Sequence, residues 1–576
     1  FAFTCEDHRR SAAALHAIED VYGDEPPDYL EVPDYRGHGL VPLQAKRARH
    51  RSLRGCTMAV RLRGMAEPIC LHDGVWPQEE NKIVFDIERE ALRLADLIVF
   101  PGGEVPALYE RHLGRPLPRP AKCLRLPLEQ PPEPPQPGRR DSRKPLDILY
   151  AGRLQRVKGV LELVEACMEL DRDWRLTMVG GDTSTAPLGW SMRDTIETVC
   201  AGEDRVTLLE RVAHEEVQSL YSQHDLLVVP SRFEVWPNVA LEAMRAGLPV
   251  LATPVGGLTE IVDHGVTGWH IPGADGAAIH TALERLLASR EEIEEVRASG
   301  EVFRRFQRLT DPDAVLAEYE ELFAGLRTDV ATRGRLPASA PEPSVTGIVP
   351  YFGEHEMVGE AVRSLLGQTH RNLTVTIVND GSFEPEDAVL DELEADPRVR
   401  VLTKPNGGDH TARNLAIRDA ESKYVAMLDA DNVFEPEFVE RGVAMCEADP
   451  ELAYVTCWLR LLNDPVAASA FLPTVFPPLG NAVRSDDRVN TDGDTMALLP
   501  RRAFTGLGYW YEKAGLTVDW ELYRTLRDDG RYGAVIPELL GRYRVRGGSM
   551  SRAFAVEARE RALSEGLSRR RLRSLA

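Results

Sequence analysis

Short apolar runs, two of them rich in β-branched residues, alternate along this chain with longer segments of helical periodicity. Runs of this kind occupy residues 146–151, 345–351 and 375–379, and a turn marked by Gly or Pro and then a helix-period segment follow them. This alternation is typical of parallel strands joined by crossover helices. It predicts an α/β fold whose sheets bind ligands at the carboxyl ends of their strands.

Two proline-rich stretches, at residues 127–145 and 333–344, interrupt this pattern. Such composition gives semi-extended, solvated linkers. The predicted units are a first block at 1–127, a second block at 146–327, a linker at 328–344, a third block at 345–552 and a basic tail at 553–576. Because of this linker, we expect the site of the first two blocks and the site of the third block to act independently of each other.

Composition and charge exclude several classes of protein. The 576 residues are 43% hydrophobic and 28% charged, which is ordinary for a soluble protein of two to four domains. The net charge of −22 argues against nucleic-acid binding, which needs a concentrated basic face. No apolar run approaches a membrane span and no signal peptide is evident, so we expect a cytoplasmic protein. The chain begins at Phe1 with a strand-like run, which suggests a truncated start.

The basic tail has two interpretations. Arg569, Arg570, Arg571 and Arg573 lie among leucines at roughly helical spacing. One interpretation is a solvated terminal helix. The other is an anchor on anionic lipid, which would place the protein peripherally at the inner face of a membrane. The eight cysteines form no C-x-x-C pair and are read as reduced, mostly buried thiols.

The second block opens with a strand, a glycine turn and a helix start. Gly152-Arg153 follows the strand, and Lys158-Gly159 precedes a helix beginning near Val160. Free backbone N–H groups and the helix dipole at such a turn attract anions. Arg153 and Lys158 would add the fixed charge that a diphosphate requires. The alternative is an ordinary basic βα turn.

Two glutamates farther along the second block lie close to a helix start. Glu234 precedes Pro237, which is placed to begin the helix that carries Glu242. Both carboxylates can then face one pocket, where each can accept two sugar hydroxyls. Taken without their neighbours, they would be read as surface charges.

The third block contains an Asp-x-Asp directly after an apolar strand at 424–428. Asp429 and Asp431 therefore emerge at a strand's carboxyl end. Hard oxygen ligands at that position suit Mg²⁺ or Mn²⁺ on a diphosphate. The alternative for an isolated Asp-x-Asp is a helix-capping turn.

The second block resembles the donor half of the family-4 retaining glycosyltransferases of GT-B fold over about residues 146–300. The motifs that carry this resemblance are Gly152-Arg153, Lys158-Gly159, the pair Glu234 and Glu242, Gly247-Leu248-Pro249 and Gly256-Gly257. The resemblance implies that Arg153 and Lys158 hold the donor diphosphate without a metal. It further implies that Glu234 faces the donor sugar as a catalytic residue and that Glu242 holds the nucleotide ribose.

The first block would then be the acceptor half of the same twin Rossmann-like GT-B unit. It matches the family through Asp34-Tyr35-Arg36-Gly37 and the segment 88–101. The family usually has a histidine where this chain has Arg63. His72 is a candidate substitute, and a structural histidine is the alternative.

The third block resembles the family-2 inverting glycosyltransferases of GT-A fold, a single-sheet nucleotide-sugar domain. Five separated motifs agree, including Asn379-Asp380-Gly381-Ser382, Ala412-Arg413-Asn414 and Asp429-Ala430-Asp431. The resemblance implies that Asp380 contacts the uracil ring, that Asp431 and Asp429 hold the metal, and that Asp519 is the base with Glu521 in reserve. A loop at 490–495 would border the acceptor. Arg546 replaces a histidine of relatives, so it cannot ligate metal but can clamp phosphate.

The resemblances together predict a bifunctional enzyme that transfers sugars from UDP-, GDP- or dTDP-sugars to a glycan or lipid-linked acceptor. Bacterial surface polysaccharide assembly is the expected setting. One alternative is that only the third block is catalytic and the first two blocks form a degenerate binding module. Another is a sugar-nucleotide epimerase or nucleotidyltransferase, which the pairing of Glu234 with Glu242 and that of Asp429-Ala430-Asp431 with Asp519 disfavour.

Overall fold

A computed structural model describes residues 3–131, 135, 144–333, 342–382, 388–463, 474–481, 491–505 and 518–545. Arg546 and the basic tail lie outside the described residues. Three sheets, one per block, confirm the predicted α/β fold. No helix among the described residues is long and apolar enough to cross a membrane.

The first block has a parallel four-stranded sheet in the order β1-β2-β3-β4. Its strands are β1 Tyr29–Pro33, β2 Thr57–Arg61, β3 Leu97–Phe100 and β4 Ala121–Cys123, and its helices are α1 Glu6–Tyr22, α2 Leu40–Arg47, α3 Ala66–His72, α4 Glu79–Leu94 and α5 Val105–Leu113. The strand expected at the chain start is wrong for its described part, because Phe3 and Thr4 belong to no strand. Helix α1 begins directly afterwards.

The second block has a parallel six-stranded sheet in the order β10-β9-β8-β5-β6-β7. Its strands are β5 Leu146–Ala151, β6 Trp174–Val179, β7 Val206–Leu209, β8 Leu226–Val229, β9 Val250–Ala252 and β10 Gly268–His270. Its helices are α6 Val160–Met168, α7 Met192–Val199, α8 His214–Gln223, α9 Asn238–Arg245, α10 Leu258–Ile261, α11 Gly276–Ala288, α12 Arg290–Ala298, α13 Glu301–Thr310 and α14 Pro312–Arg333. Read from β7, this is the strand order of a doubly wound dinucleotide-binding sheet, with its switch point between β5 and β8.

Helix α14 returns from the second block to the first. The Tyr319 hydroxyl donates to Glu31 at 2.7 Å and accepts from Arg61 at 2.5 Å. Leu322 is buried against a small apolar cluster of the first sheet. The first and second blocks are therefore joined by packing as well as by the chain between them.

The third block has a mixed nine-stranded sheet in the order β13-β12-β11-β14-β18-β16-β19-β15, with β17 paired to β16. Its strands are β11 Val345–Tyr351, β12 Leu373–Asn379, β13 Val399–Thr403, β14 Tyr424–Met427, β15 Val433–Phe434, β16 Leu452–Asn463, β17 Val475–Phe476, β18 Ala497–Pro500 and β19 Tyr532–Val545. Its helices are α15 His355–Leu366, α16 Ala388–Glu394, α17 Asp409–Asp419, α18 Phe438–Ala448, α19 Arg502–Thr505 and α20 Val518–Asp528. Strands β11 to β14 are parallel and have their own switch point between β11 and β14.

The first block also packs directly on the third. Trp458, Leu479 and Val535 of the third block belong to the same buried apolar cluster as the core of the first block. The Arg93 guanidinium lies 4.0 Å above the ring of Tyr532. The linker therefore does not keep the third block away from the first, whereas independent action of the two sites stays a prediction.

Candidate active sites

A cleft of about 400 Å³ lies between the first and second blocks, at the switch point of the second sheet. Both blocks contribute to its lining, which consists of Pro33, Tyr35, His38, Arg63, Gly64 and Ile69 from the first and Arg153, Val157, Lys158, Phe233, Glu234 and Val235 from the second. The structure thus brings Arg153, Lys158 and Glu234 together as the sequence predicted. It places Arg63 with them.

The turn that carries Lys158 requires glycine at its end. Gly159 has a φ of 69°, and a Cβ there would lie 2.3 Å from the carbonyl oxygen of Pro230. The backbones of the β5 and β8 turns can therefore approach each other closely only with glycine. Helix α6 begins at the next residue and directs its amino terminus toward the turn.

The charges of the cleft are unevenly paired. Lys158 Nζ lies 2.5 Å from Glu234 Oε2, and the Ser231 hydroxyl donates to the same oxygen at 3.2 Å. Arg63 and Arg153 are exposed, and their guanidinium groups form no hydrogen bond or ion pair within the described residues. Two guanidinium groups are thus available to an anionic ligand in this cleft.

Glu242 lies apart from the lining of the cleft. It is the fifth residue of α9, whose amino-terminal cap is Pro237 as the sequence predicted. Its carboxylate accepts a hydrogen bond of 3.0 Å from the hydroxyl of Tyr221. Contact between Glu242 and a ribose stays a prediction.

Asp34 holds the backbone beside Arg63 in place. Its carboxylate accepts from the amides of Arg63 at 2.8 Å and Gly64 at 3.3 Å, and from the Tyr109 hydroxyl. Burial raises the pKa of Asp34, although these donors lower it. The motif Asp34-Tyr35-Arg36-Gly37 contributed to the family resemblance of the first block, but the role of Asp34 in supporting Arg63 was not visible in the sequence.

Glu88 is a second buried acid behind the same turn. It accepts from the backbone amides of Arg36 at 2.7 Å and Ala66 at 2.8 Å. Burial raises its pKa to about 8. His72, the candidate substitute for the missing histidine, instead stacks on Phe233 with ring centroids 6.2 Å apart and is absent from the lining.

The second candidate site lies at the carboxyl edge of β12, β11 and β14. Asp380 follows β12, and Asp429 and Asp431 follow β14. The carboxylate of Asp380 accepts from the amides of Gly407 at 3.0 Å and Gly408 at 2.7 Å and pairs with Lys404. Contact of Asp380 with a base ring stays a prediction.

Asp429 is held by two neighbours. Arg413 on α17 donates to Asp429 Oδ1 at 2.5 Å, and the Thr495 hydroxyl donates to Oδ2 at 3.0 Å. The carbonyl oxygen of Asp431 accepts from Arg544 at 3.0 Å. The motif Ala412-Arg413-Asn414 placed Arg413 near this site in the sequence analysis. It did not indicate that Arg413 pairs with Asp429 of the Asp-x-Asp.

Four carboxylates converge at this edge, and we call Asp429, Asp431, Asp494 and Asp519 the acid cluster. Burial and the charges of Asp429 and Asp519 raise the pKa of Asp494 to about 8, and burial raises that of Asp519 to about 6. The pKa of Tyr543 on β19 is raised by Asp494 first, then by burial and the other three acids. The sequence placed Asp494 in the loop expected to border the acceptor, but it did not indicate that Asp494 and Tyr543 lie against the other acids of this cluster.

Asp492, which lies in the loop predicted to border the acceptor, has a structural role. It is fully buried, accepts from the Tyr454 hydroxyl at 2.6 Å and pairs with Arg527. Asp519 is the second residue of α20, and Glu521 is two residues farther along the same helix. Asn490 of this loop lies outside the described residues.

The donor set of the acid cluster fits a hard divalent cation. Within the described part of the chain, no group of three His, Cys, Asp or Glu side chains forms a ready metal cage. Mg²⁺, however, usually binds through one or two carboxylates, waters and substrate phosphates. Burial is the main cause of the raised pKa values of Asp494 and Asp519, and repulsion from neighbouring acids adds to it; a bound cation would relieve that repulsion.

Two family models match the chain. The model of the glycosyl transferases group 1 matches residues 145–289, and that of glycosyl transferase family 2 matches residues 346–504. The chain therefore carries two glycosyltransferase-family regions in tandem, as predicted. The first two blocks have the GT-B arrangement, and the third contains the GT-A-type region.

Several curated proteins resemble part of the chain. A D-inositol 3-phosphate glycosyltransferase of Xylanimonas cellulosilytica is 36% identical over 141 residues, covering 24% of this chain and 34% of that protein. One from Corynebacterium diphtheriae is 31% identical over 216 residues, covering 37% and 46%. The matched region thus spans less than half of either relative. Among solved structures, sucrose-phosphate synthase from Thermosynechococcus elongatus has a TM-score of 0.43 at 23% identity, covering 55% of this chain and 77% of that one.

Proposed function

We propose that this protein transfers two sugars from nucleotide-sugar donors to a glycan or lipid-linked acceptor, as in surface polysaccharide assembly. The observation that carries the proposal is the presence of two carboxyl-edge sites of opposite charge. One is a cleft with Arg63, Arg153 and Lys158, and the other is the acid cluster. These are the two ways in which proteins stabilise a departing diphosphate, with fixed cations or with a bound metal.

In the first site the cations do the electrostatic work. Arg153 and the amino terminus of α6 are placed to bind the diphosphate of the donor. Lys158 neutralises Glu234 at 2.5 Å until a donor phosphate arrives. Glu234 is then available to face the donor sugar, and its carboxylate can accept sugar hydroxyls.

In the second site Asp431 and Asp429 would hold Mg²⁺ or Mn²⁺, which supplies charge neutralisation to the diphosphate. Arg413 fixes the Asp429 carboxylate from the protein side. Asp519 is the base that takes the proton from the acceptor hydroxyl, and its raised pKa makes it a stronger base than an exposed aspartate. Arg546 would contact phosphate.

A second candidate function is supported by Arg63. If a neutral side chain is needed at that position, the first site binds a nucleotide sugar without transferring it. The third block would then be the catalytic unit, and the cleft would be a binding module.

Nucleotide-sugar binding and turnover by the full chain distinguish these functions. UDP-, GDP- and dTDP-sugars are screened by thermal shift and by release of the nucleoside diphosphate, with Lys158→Ala and Asp431→Asn as site-specific variants. Two transfers, each abolished by one variant, are expected. A single transfer that survives Lys158→Ala would favour the binding-module alternative, and no turnover or binding of any donor would exclude both.

A further inference from the structure

A segment of the third block, residues 479–481, is held by two helices of the first block. Gln44 Nε2 on α2 donates to the carbonyl oxygen of Leu479 at 2.7 Å, in a buried position. Asn481 Nδ2 donates to Glu90 Oε2 on α4 at 3.0 Å. A buried hydrogen bond cannot be replaced by water without a cost, so these contacts fix the position of the segment.

The same segment is hydrogen-bonded to the loop that leads into the acid cluster. The amides of Leu479 and Gly480 both donate to the carbonyl oxygen of Thr491, at 2.7 and 3.1 Å. Thr491 precedes the buried Asp492, and Asp494 of the acid cluster follows two residues later. Hydrogen bonds therefore connect Gln44 through Leu479 to Thr491, and the chain itself connects Thr491 to Asp494 of the second candidate site.

Apolar and charged contacts flank this path on the interface. Trp458 on β16 packs edge-on against Phe3 and His8, with ring centroids 5.9 and 6.3 Å apart. Arg441 on α18 donates twice to the carbonyl oxygen of Ala48, at 3.0 and 3.2 Å. Because contacts surround the path, it does not rest on a single flexible side chain.

We propose that the first block, besides forming one wall of its own cleft, is a structural part of the second site. Gln44 and Glu90 are positioning residues that hold segment 479–481. This segment in turn holds the loop at 491–495, and thereby the position of Asp494 in the acid cluster. Only the expected effect on the rate of transfer at the second site rests on the proposed function. The structural part of the inference requires no substrate.

Amide hydrogen exchange on the full chain tests the structural part. In Gln44→Ala, peptides that contain Leu479 and Gly480 are expected to exchange about three- to tenfold faster, the range that the loss of one hydrogen bond gives. Lys46→Met is the matched control, because Lys46 lies on the same helix but pairs with Asp96 within the first block. Its exchange in these peptides should stay at the wild-type rate. Equal exchange in Gln44→Ala and wild type would overturn the inference.

Asn481→Ala removes the second contact from the opposite side of the interface. If Gln44→Ala does not fold, Asn481→Ala still tests the inference. It should accelerate hydrogen exchange at the same amides, those of Leu479 and Gly480. A thermal unfolding midpoint close to wild type shows that the effect is local. Unchanged protection in a folded Asn481→Ala variant, with Gln44→Ala unfolded, would also overturn the inference.

The catalytic part is tested by turnover of the sugar nucleotide used by the second site. Gln44→Ala should lower kcat severalfold, leave KM for the donor near wild type and leave donor binding in the first cleft unchanged. A faster-exchanging segment with wild-type kcat would overturn the positioning role. Absence of turnover in the wild type would refute the proposed function instead, while the exchange result would still stand.

Discussion

Arg413 Nη2 lies 2.5 Å from Asp429 Oδ1, while Nη1 of the same guanidinium lies 2.5 Å from Asp409 Oδ2. The Arg413 side chain is only 3% exposed. Burial lowers its pKa, but the two carboxylates outweigh burial and raise the pKa above its ordinary value. A permanently charged, buried arginine therefore joins the first acid of the Asp-x-Asp to helix α17.

Arg413→Ala should destabilise the protein by about 1.5–3 kcal/mol, because it deletes a buried guanidinium that is hydrogen-bonded to two carboxylates, which are themselves 35% and 30% exposed. The free energy of unfolding in urea measures this. Arg400→Ala is the control, since Arg400 is 59% exposed and pairs with Asp419 at 2.7 Å. That surface pair should contribute less than about 1 kcal/mol. Similar losses in both variants would contradict the structural role of Arg413.

Glu88→Gln should change how stability depends on pH. Native Glu88 keeps its proton up to a pKa of about 8, whereas an unfolded glutamate loses it near its ordinary pKa. Its contribution is therefore fully present below the unfolded pKa and is lost as pH rises toward 8, by at most about 1.4 kcal/mol per pH unit. Urea unfolding of Glu88→Gln between pH 5 and about 8 should show a shallower decline.

Glu321→Gln is the matched control for Glu88→Gln, because Glu321 is 80% exposed. Its stability should follow the wild-type pH dependence. A Glu88→Gln variant with the wild-type slope would show that Glu88 is ionised in the folded protein.

Lys158→Ala should weaken nucleoside diphosphate binding in the first cleft by about 10- to 100-fold, the value of one or two charge-assisted hydrogen bonds. Calorimetric titration in excess chelator isolates this site, because the second is expected to need a metal. Lys122→Ala, which removes an exposed lysine paired with Glu321 at 3.3 Å, should bind as wild type does. Binding by Lys158→Ala within twofold of wild type would rule out the assignment of Lys158.

The sequence could assign a residue to a candidate site where that residue lies beside a recognisable strand end. Lys158 and Asp429 each follow an apolar run within a few residues, so local pattern and strand topology are enough to bring them to a sheet edge. Asp494 and Tyr543 reach the same edge from strands β18 and β19, more than fifty residues away from Asp429. Their convergence depends on the pairing of β18 with β14 and of β19 with β15 and β16, for which the chain has no local signal.

The contact between the first and third blocks could not be predicted from the sequence either. Gln44 and Leu479 are 435 positions apart, and each reads locally as an ordinary core or helix residue. The proline-rich linker suggested separate bodies, because composition reports the flexibility of a connection and not the complementarity of the surfaces it joins. Buried Trp458 and Val535 complete the core of the first block instead of that of their own sheet.

Chelation should separate the two sites in the intact protein. With excess chelator, transfer at the acid cluster should fall to background and recover on addition of Mg²⁺ or Mn²⁺, because the diphosphate otherwise meets uncompensated carboxylates. Nucleotide binding in the first cleft should persist, because Arg153 and Lys158 are its cations. Full activity of both sites in chelator would refute the assignment of Asp429 and Asp431 as metal ligands.

Asp519→Asn should remove sugar transfer at the second site but leave donor and metal affinity nearly unchanged, because the amide keeps the shape and deletes the base. Loss of general-base catalysis is worth about 10²- to 10⁴-fold in rate. Asp431→Asn should weaken donor binding as well, since it removes a ligand beneath the diphosphate. Single-turnover rates and donor dissociation constants for both variants separate the two roles. If Asp519→Asn turns over within a few-fold of wild type, the base is elsewhere, and Glu521 and Asp494 are the next carboxylates to substitute.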